Sequence, residues 1–186
     1  MNNPNHSQKG FALLLAIIVS GIVLTVGLSI LSVTLKQLNL GNNTLRSEGA
    51  FQTAVAGMDC LRFLRSTQAS NFINNGRTVN IDCFELGGLT MTDMLAGTNG
   101  EDPYIQVFQT RFDWDISSDT RQCIQIDTVV LDARSADRNW LTLNHGNLTC
   151  DEGSICTSAF VQGYNVACGN VTGNPVAVVR ELSAEF

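Results

Sequence analysis

The segment Phe11–Leu35 carries no charged residue, and it constrains the fold of this chain more than any other feature. A helix over this range would be about 37 Å long, enough to cross the roughly 30 Å hydrocarbon core of a membrane. The run is too long for the apolar part of a secretory signal peptide, and no small-residue cleavage site closes it. The sequence therefore predicts a helix that spans a membrane once.

A helical pattern continues beyond this apolar run. Between residues 45 and 64, apolar side chains recur at three- and four-residue steps, which is typical of an amphipathic helix. We expect one helix from Phe11 to about Thr67, with Gly41–Asn43 as a point where it can kink or unwind. Gly49 and Gly57 favour close contact with a neighbouring element.

After Ser70 the pattern changes to short apolar stretches separated by turn residues. Alternation of apolar and polar residues is clearest after Tyr104 and after Cys123, and it predicts strands with one buried face. The stretches with strand character are TVNIDCFEL, YIQVFQTRFDWDI, CIQIDTVVLDA, SAFVQGYNVAC and PVAVVRELSAEF. We therefore predict an α+β fold in which a long N-terminal helix packs on an antiparallel sheet.

Composition and charge limit the classes of function. The chain has 186 residues and a formal net charge of -6, with lysine only at Lys9 and Lys36. This acidic balance, without a basic cluster, argues against nucleic-acid binding. His145, Ser154 and Asp151 lack the scaffold that a nucleophile and its base require. We predict no cofactor and no enzymatic activity.

Six cysteines and no CxxC pair indicate disulfides rather than a metal site, since exported proteins reach an oxidising compartment. Many connectivities are possible. We expect Cys150–Cys156 to close a local loop. We expect Cys60–Cys83 to tie the helix to the sheet, and Cys123–Cys168 to tie two strands.

Three carboxylates, Asp113, Asp115 and Asp119, are weak candidates for binding a hard cation such as calcium. They lack the glycine and the spacing of an EF-hand loop. Alternation gives another interpretation, in which Phe112, Trp114 and Ile116 face inward and the aspartates face water. We therefore predict no metal site here.

Several features together resemble the type IV pilins and the related pseudopilins. A polar leader ends in Lys9-Gly10 and is followed by Phe11, the apolar helix continues as an amphipathic helix, and a small cysteine-containing β domain follows. The segments EGAFQTAVAGMDC, GYNVAC and VVREL are similar to pilins from ultra-small bacteria with reduced genomes. The resemblance implies cleavage by a prepilin peptidase between Gly10 and Phe11, with an N-methylated Phe11.

The resemblance also implies the organisation of the chain and its partners. Residues 1–10 would be the leader, 11–35 the membrane and filament-core half of the helix, 36–68 its amphipathic half, and 69–186 the globular sheet domain. The implied partners are other pilin subunits through the helix, the prepilin peptidase, the inner-membrane assembly platform, and the membrane before assembly. The implied location is the bacterial inner membrane, as a single-pass protein, and then an extracellular pilus filament.

One position departs from the family pattern. Most major pilins have a glutamate as the fifth mature residue, which is thought to pair with the N-terminal amine of an adjacent subunit, but Leu15 stands there in this chain. This departure favours a minor or tip subunit over the major one. We expect Gly21, Gly27, Gly41 and Gly49 to allow bending or unwinding as the helix moves from lipid into a filament.

Two alternative interpretations of the function remain open. One is a type II secretion pseudopilin, and the other is a membrane-anchored extracellular binding module. The sequence does not distinguish adhesion, motility, DNA uptake and secretion.

Overall fold

The computed structural model describes residues 6–73, 78–83, 89–93, 104–117, 120–134, 140–143 and 146–186. The chain divides into two units, Met1–Leu45 and Arg46–Phe186. The helices are α1 (His6–Thr67) and α2 (Ala69–Ile73), and the strands are β1 (Thr78–Asn80), β2 (Thr90–Asp93), β3 (Ile105–Ser117), β4 (Thr120–Asp132), β5 (Trp140–Leu143), β6 (Gly146–Thr149), β7 (Ile155–Tyr164) and β8 (Val179–Glu185). A short 3-10 helix, Cys168–Asn170, lies between β7 and β8.

Helix α1 begins before the predicted position and has no interruption. It ends at Thr67 as expected and starts at His6, so it includes His6–Gly10. The helix also continues through Gly41–Asn43, where the sequence predicted a kink or an unwound segment. A helical glycine costs only about 1 kcal/mol relative to alanine, and the flanking turns are rich in leucine, a strong helix former.

The strands form a six-stranded antiparallel sheet in the order β1-β2-β3-β4-β7-β8, together with a β5–β6 hairpin. The longest pairing joins β3 and β4, and it runs from Ile105 opposite Leu131 to Ser117 opposite Thr120. Strand β8 pairs with β7 and forms one edge of the six-stranded sheet. These pairings confirm the predicted α+β fold with an antiparallel sheet.

The second half of α1 packs on one face of this sheet, as predicted. Alternate residues of β4, including Ile124, Ile126 and Val130, are fully buried in the same core cluster as the helix residues. The period-2 pattern of the strands and the helical period of α1 therefore meet in one core. The helix residues with 4% exposure or less are Ala50, Thr53, Ala54, Met58, Cys60, Leu61 and Leu64.

Two glycines allow the helix and the sheet to approach closely. A Cβ atom on Gly163 of β7 would lie 2.3 Å from the carbonyl oxygen of Ala50 and 2.3 Å from the amide nitrogen of Ala54. A Cβ atom on Gly57 would lie 2.7 Å from Val161 Cγ1. The close contact predicted for Gly57 is confirmed, and Gly163 brings the helix backbone directly onto β7.

All three expected disulfides are present: Cys60–Cys83, Cys123–Cys168 and Cys150–Cys156. The first ties α1 to the segment that follows β1, and the third joins the end of β6 to β7. The second was expected to tie two strands, but Cys168 lies in the 3-10 helix, so this bond ties β4 to the connection between β7 and β8.

The sequence interpretation missed β2, β5 and β6, which lie outside the five predicted stretches. Each of these strands has only 4 residues, and an alternating pattern over so few positions is hard to distinguish from a loop. Leu148 of β6 is nevertheless buried with Leu131, Ala133 and Cys150 in a second, smaller core cluster.

Candidate functional site: the exposed apolar half of helix α1

The first half of α1 presents apolar side chains around its whole surface. Every side chain from Phe11 to Leu45 is exposed, and the large apolar ones keep between 48% (Leu15) and 72% (Leu45) of their surface accessible. By length and composition, this helix can cross a membrane. A helix that is apolar all round needs lipid or other helices around it.

Hydroxyl side chains in this region turn back to their own helix. Ser20 Oγ donates to the carbonyl of Ile17 at 3.0 Å, and Thr25 Oγ1 donates to that of Ile22 at 2.8 Å. Ser32, Thr34 and Thr44 make equivalent bonds at 2.8 to 3.0 Å. These hydroxyls therefore need no outside partner, which suits an apolar environment.

The residues predicted for processing and assembly all lie on this helix. Lys9 and Gly10 are within its first turns, and Phe11 is 69% exposed. A Cβ atom on Gly21, Gly27 or Gly41 would meet nothing within 4 Å, so the surface around these three glycines is open.

Leu15 leaves the start of the helix without a carboxylate. The first acidic residue after Phe11 in the sequence is Glu48, and Lys36 is the first charged residue of either sign. Glu48 lies in the second unit and accepts a hydrogen bond from Gln52 Nε2 at 2.7 Å. The chain thus offers no acid of its own near Phe11.

The metal candidates have other roles in the structure. Asp113 Oδ1 accepts a hydrogen bond from the backbone N–H of Cys168 at 2.6 Å, and Asp115 forms an ion pair with Arg121 at 3.1 Å. Cys123 and Cys168 lie close to Asp113, but their sulfurs are bonded to each other. Asp119 lies outside the described residues.

The expected alternation holds only in part. Phe112 is buried and Trp114 is half-buried against the core, but the side chain of Ile116 lies outside the described set. Asp113 is half-buried and holds the start of the 3-10 helix, so the expectation that all the aspartates simply face water is wrong at this position.

Ser154 and Asp151 were considered as parts of a catalytic triad. The contact between them involves the backbone of Asp151 and not its carboxylate. Ser154 Oγ donates to the carbonyl oxygen of Asp151 at 2.6 Å, which stabilises the loop closed by Cys150–Cys156. His145 lies outside the residues that the structure describes.

One ion pair perturbs a titratable group outside the helix. Arg134 donates two side-chain hydrogen bonds to Asp132, the shorter at 2.7 Å, and these bonds hold the pKa of that carboxyl below its usual value. Arg134 is exposed. The pair anchors the end of β4.

The sequence interpretation overlooked a polar surface on the sheet face opposite α1. The pairings place Arg111, Gln125, Gln162 and Glu181 side by side across β3, β4, β7 and β8. We name these four residues the outer polar row. Glutamine and arginine at the outward positions of alternating strands were the available signal.

Comparisons of the chain with protein-family models, with curated proteins and with solved structures found no match. The long apolar N-terminal helix, the antiparallel sheet and the three disulfides are together compatible with a pilin-like architecture.

Proposed function

We propose that this protein is a structural subunit of a bacterial type IV pilus or a related filament. It would enter the inner membrane through Phe11–Leu35, lose its leader by cleavage between Gly10 and Phe11, and then assemble through the exposed half of α1. The observation that carries the proposal is this exposed apolar half, which joins a disulfide-tied α+β unit in one uninterrupted helix.

The physical argument starts from the exposure of this segment. Left in water, each large apolar side chain would cost about 1.5–3 kcal/mol relative to burial, so the segment needs lipid or protein contact throughout its life. Passing from lipid into a bundle of like helices exchanges one apolar environment for another. Association then depends on close packing, which the open surfaces at Gly21 and Gly27 favour.

Leu15 supports a minor or tip position in the filament. In the family that this chain resembles, the acid at that position is thought to neutralise the amine of a neighbouring subunit. A subunit with no neighbour ahead of it does not need this acid. Low abundance of the chain in purified filaments would agree with a tip position, whereas a dominant band would assign it the major role.

A membrane-anchored binding module is the second candidate, and the outer polar row favours it. Such a module would keep Phe11–Leu35 in the membrane permanently and use the sheet as its working surface. The two candidates differ in one chemical step, which is cleavage after Gly10.

A Gly10→Ala substitution tests the choice between the two candidates. In cells with an active prepilin peptidase, we expect the variant to keep its leader, stay in the membrane fraction and disappear from sheared filaments. Gly21→Ala is the control, because this glycine lies on the same helix in open space, and the leader of this variant should be removed normally. If neither the wild type nor Gly10→Ala is found in filaments, and the variant in the membrane keeps the binding activity of the wild type, the result would instead support the anchored module.

A further inference from the structure

The outer polar row forms a continuous strip on the sheet face opposite α1. Arg111 lies opposite Gln125, Gln125 opposite Gln162, and Gln162 opposite Glu181. Adjacent strands lie about 4.8 Å apart, so four strands give a strip about 14 Å long. Arg111 and Glu181 are exposed, and the two glutamines are half-buried.

Hydrogen bonds between neighbouring side chains hold the middle of this strip in place. Asp127 accepts from Gln109 Nε2 at 2.6 Å and from Gln125 Nε2 at 3.0 Å. The side-chain amide of Gln125 donates one hydrogen bond to Asp127, which fixes the direction of its carbonyl oxygen. This oxygen remains able to accept a hydrogen bond. The strip is therefore organised before any ligand arrives, which lowers the entropic cost of binding.

The β7–β8 end of the strip is held in the same way. Tyr164 donates to Gln162 Oε1 at 2.7 Å, and Gln162 Nε2 donates to Glu181 Oε2 at 2.7 Å. This chain of bonds leaves acceptor capacity on the Glu181 carboxylate.

Arg111 is fixed at the other end of the strip. Its guanidinium carbon lies 5.4 Å from the centre of the Tyr164 ring, and its Nε donates to Cys123 Sγ at 3.2 Å. Within the described part of the chain, no residue accepts a hydrogen bond from its two terminal nitrogens. An open depression of about 420 Å³ is lined by Gln109, Thr110, Arg111 and Gln125.

The size and lining of this depression define the class of ligand. Small-molecule sites commonly measure about 300–1,000 Å³. All four lining residues are polar, which disfavours an apolar ligand. Gln125, which lines the depression, donates a hydrogen bond to the carboxylate of Asp127, and this nearby negative charge disfavours an anionic ligand. Hydroxyl groups suit the site because each can donate to an amide or carboxylate oxygen and accept from the guanidinium.

We propose that the outer polar row binds a neutral saccharide, with one sugar ring in the depression beside Arg111 and the chain of rings extending along Gln125 and Gln162 toward Glu181. Fixed guanidinium, amide and carboxylate groups would receive neighbouring hydroxyl pairs of the sugar. This binding does not depend on the filament proposal, because an anchored module would present the same sheet face.

The test uses the full-length chain in detergent micelles and an array of immobilised oligosaccharides. The probes are neutral oligosaccharides of hexoses and N-acetylhexosamines, with sulfated and sialylated forms of the same chains. We expect the wild type to bind at least one neutral probe and to bind its sulfated form more weakly. Absence of binding to every neutral probe, or tighter binding to the sulfated form, would overturn the proposal.

Variants locate the binding on the sheet. Arg111→Ala and Gln125→Ala should each weaken binding of the neutral probe at least tenfold, and Arg111→Lys should not restore it because lysine lacks the planar fork. Gln52→Ala is the control, since this exposed glutamine lies on α1 and bonds to Glu48. Thermal midpoints matching the wild type will show that the variants are folded. Undiminished binding in folded Arg111→Ala and Gln125→Ala would rule out this strip as the site.

Discussion

The two halves of helix α1 differ in the exposure of their side chains, although they form one continuous helix. From Phe11 to Leu45 every side chain is exposed, whereas between Ala50 and Leu64 one side of the helix is buried on the sheet. The first half carries no charged residue from Phe11 to Leu35, and a Cβ atom on any of its glycines would meet nothing within 4 Å. The second half is amphipathic, and Gly57 touches Val161 and Ile124.

This difference shows that one continuous helix can be packed within its own chain over one half and exposed over the other. In the second half, one side of the helix packs within the chain, and the Cys60–Cys83 disulfide reinforces this packing. In the first half, every side chain from Phe11 to Leu45 is exposed. Substitutions in the two regions should therefore differ sharply in their effect on the stability of the sheet unit.

The largest effect is expected at Gly163. Its replacement by valine would place a side chain within 2.3 Å of two backbone atoms of α1, and backbone cannot move aside as a flexible side chain can. We expect a loss of more than about 4 kcal/mol in the free energy of unfolding. Chemical denaturation followed by tryptophan fluorescence measures it, since Trp114 and Trp140 both lie in the sheet unit.

Gly169→Ala is the matched control for Gly163→Val, because a Cβ atom there would meet nothing within 4 Å. It should remain within about 0.5 kcal/mol of the wild type. Equal stability of the two variants would show that the helix does not rest directly on β7.

Removal of single disulfides should give the next largest effects. Replacing Cys123 and Cys168 by serine opens a loop with a sequence separation of 45, and the loss should be about 4 kcal/mol. Replacing Cys150 and Cys156 opens one of only 6, with a loss of about 2 kcal/mol. Thermal unfolding of the two double variants measures this order, and the reverse order would contradict the pairing.

A pair of alanine substitutions compares the two halves of the helix directly. Gly57→Ala should lower the free energy of unfolding of the sheet unit by about 1–3 kcal/mol, because its Cβ would press on Val161 and Ile124. A Cβ atom on Gly41 would meet nothing within 4 Å, so Gly41→Ala should not lower the free energy of unfolding. Denaturation curves of both variants provide the measurement, and a comparable loss at Gly41 would mean that the first half also packs within the chain.

The smallest effect concerns Asp132 at the end of β4. Because hydrogen bonds from Arg134 lower its pKa when the chain is folded, the pair stabilises the fold above the carboxyl's ordinary pKa of about 4. That contribution disappears as pH falls through the lowered value. The stability difference between wild type and Asp132→Asn should therefore be constant near neutral pH and shrink in acid.

Asp115→Asn serves as the control for the Asp132 measurement. Its ion pair with Arg121 is exposed on both sides, so its loss should change the free energy of unfolding by less than about 1 kcal/mol. A pH-independent difference for Asp132→Asn would show that Arg134 does not stabilise the carboxylate.

Much of the architecture could be predicted because its signals extend over many residues. The apolar run, the helical spacing up to Leu64 and the alternation in β3 and β4 each fix a period and a buried face. The short strands β2, β5 and β6 could not be found, since 4 residues carry little periodicity.

The candidate sites also differ in how far the sequence alone could predict them. Phe11, Leu15 and the glycines of the apolar helix were named from local sequence and from the resemblance to pilins, and their role in assembly stays a prediction. The outer polar row depends on register between four strands, which joins residues as distant as Arg111 and Glu181. A single sequence contains each member of the row but not their alignment.

The central claim is that the exposed half of α1 becomes an assembly element after the leader is removed. Mass spectrometry of the intact chain from sheared filaments, prepared from cells with an active prepilin peptidase, tests it most directly. We predict a chain that begins at Phe11 and carries an N-terminal methyl group. A chain that begins at Met1, found only in the membrane fraction, would contradict the proposal.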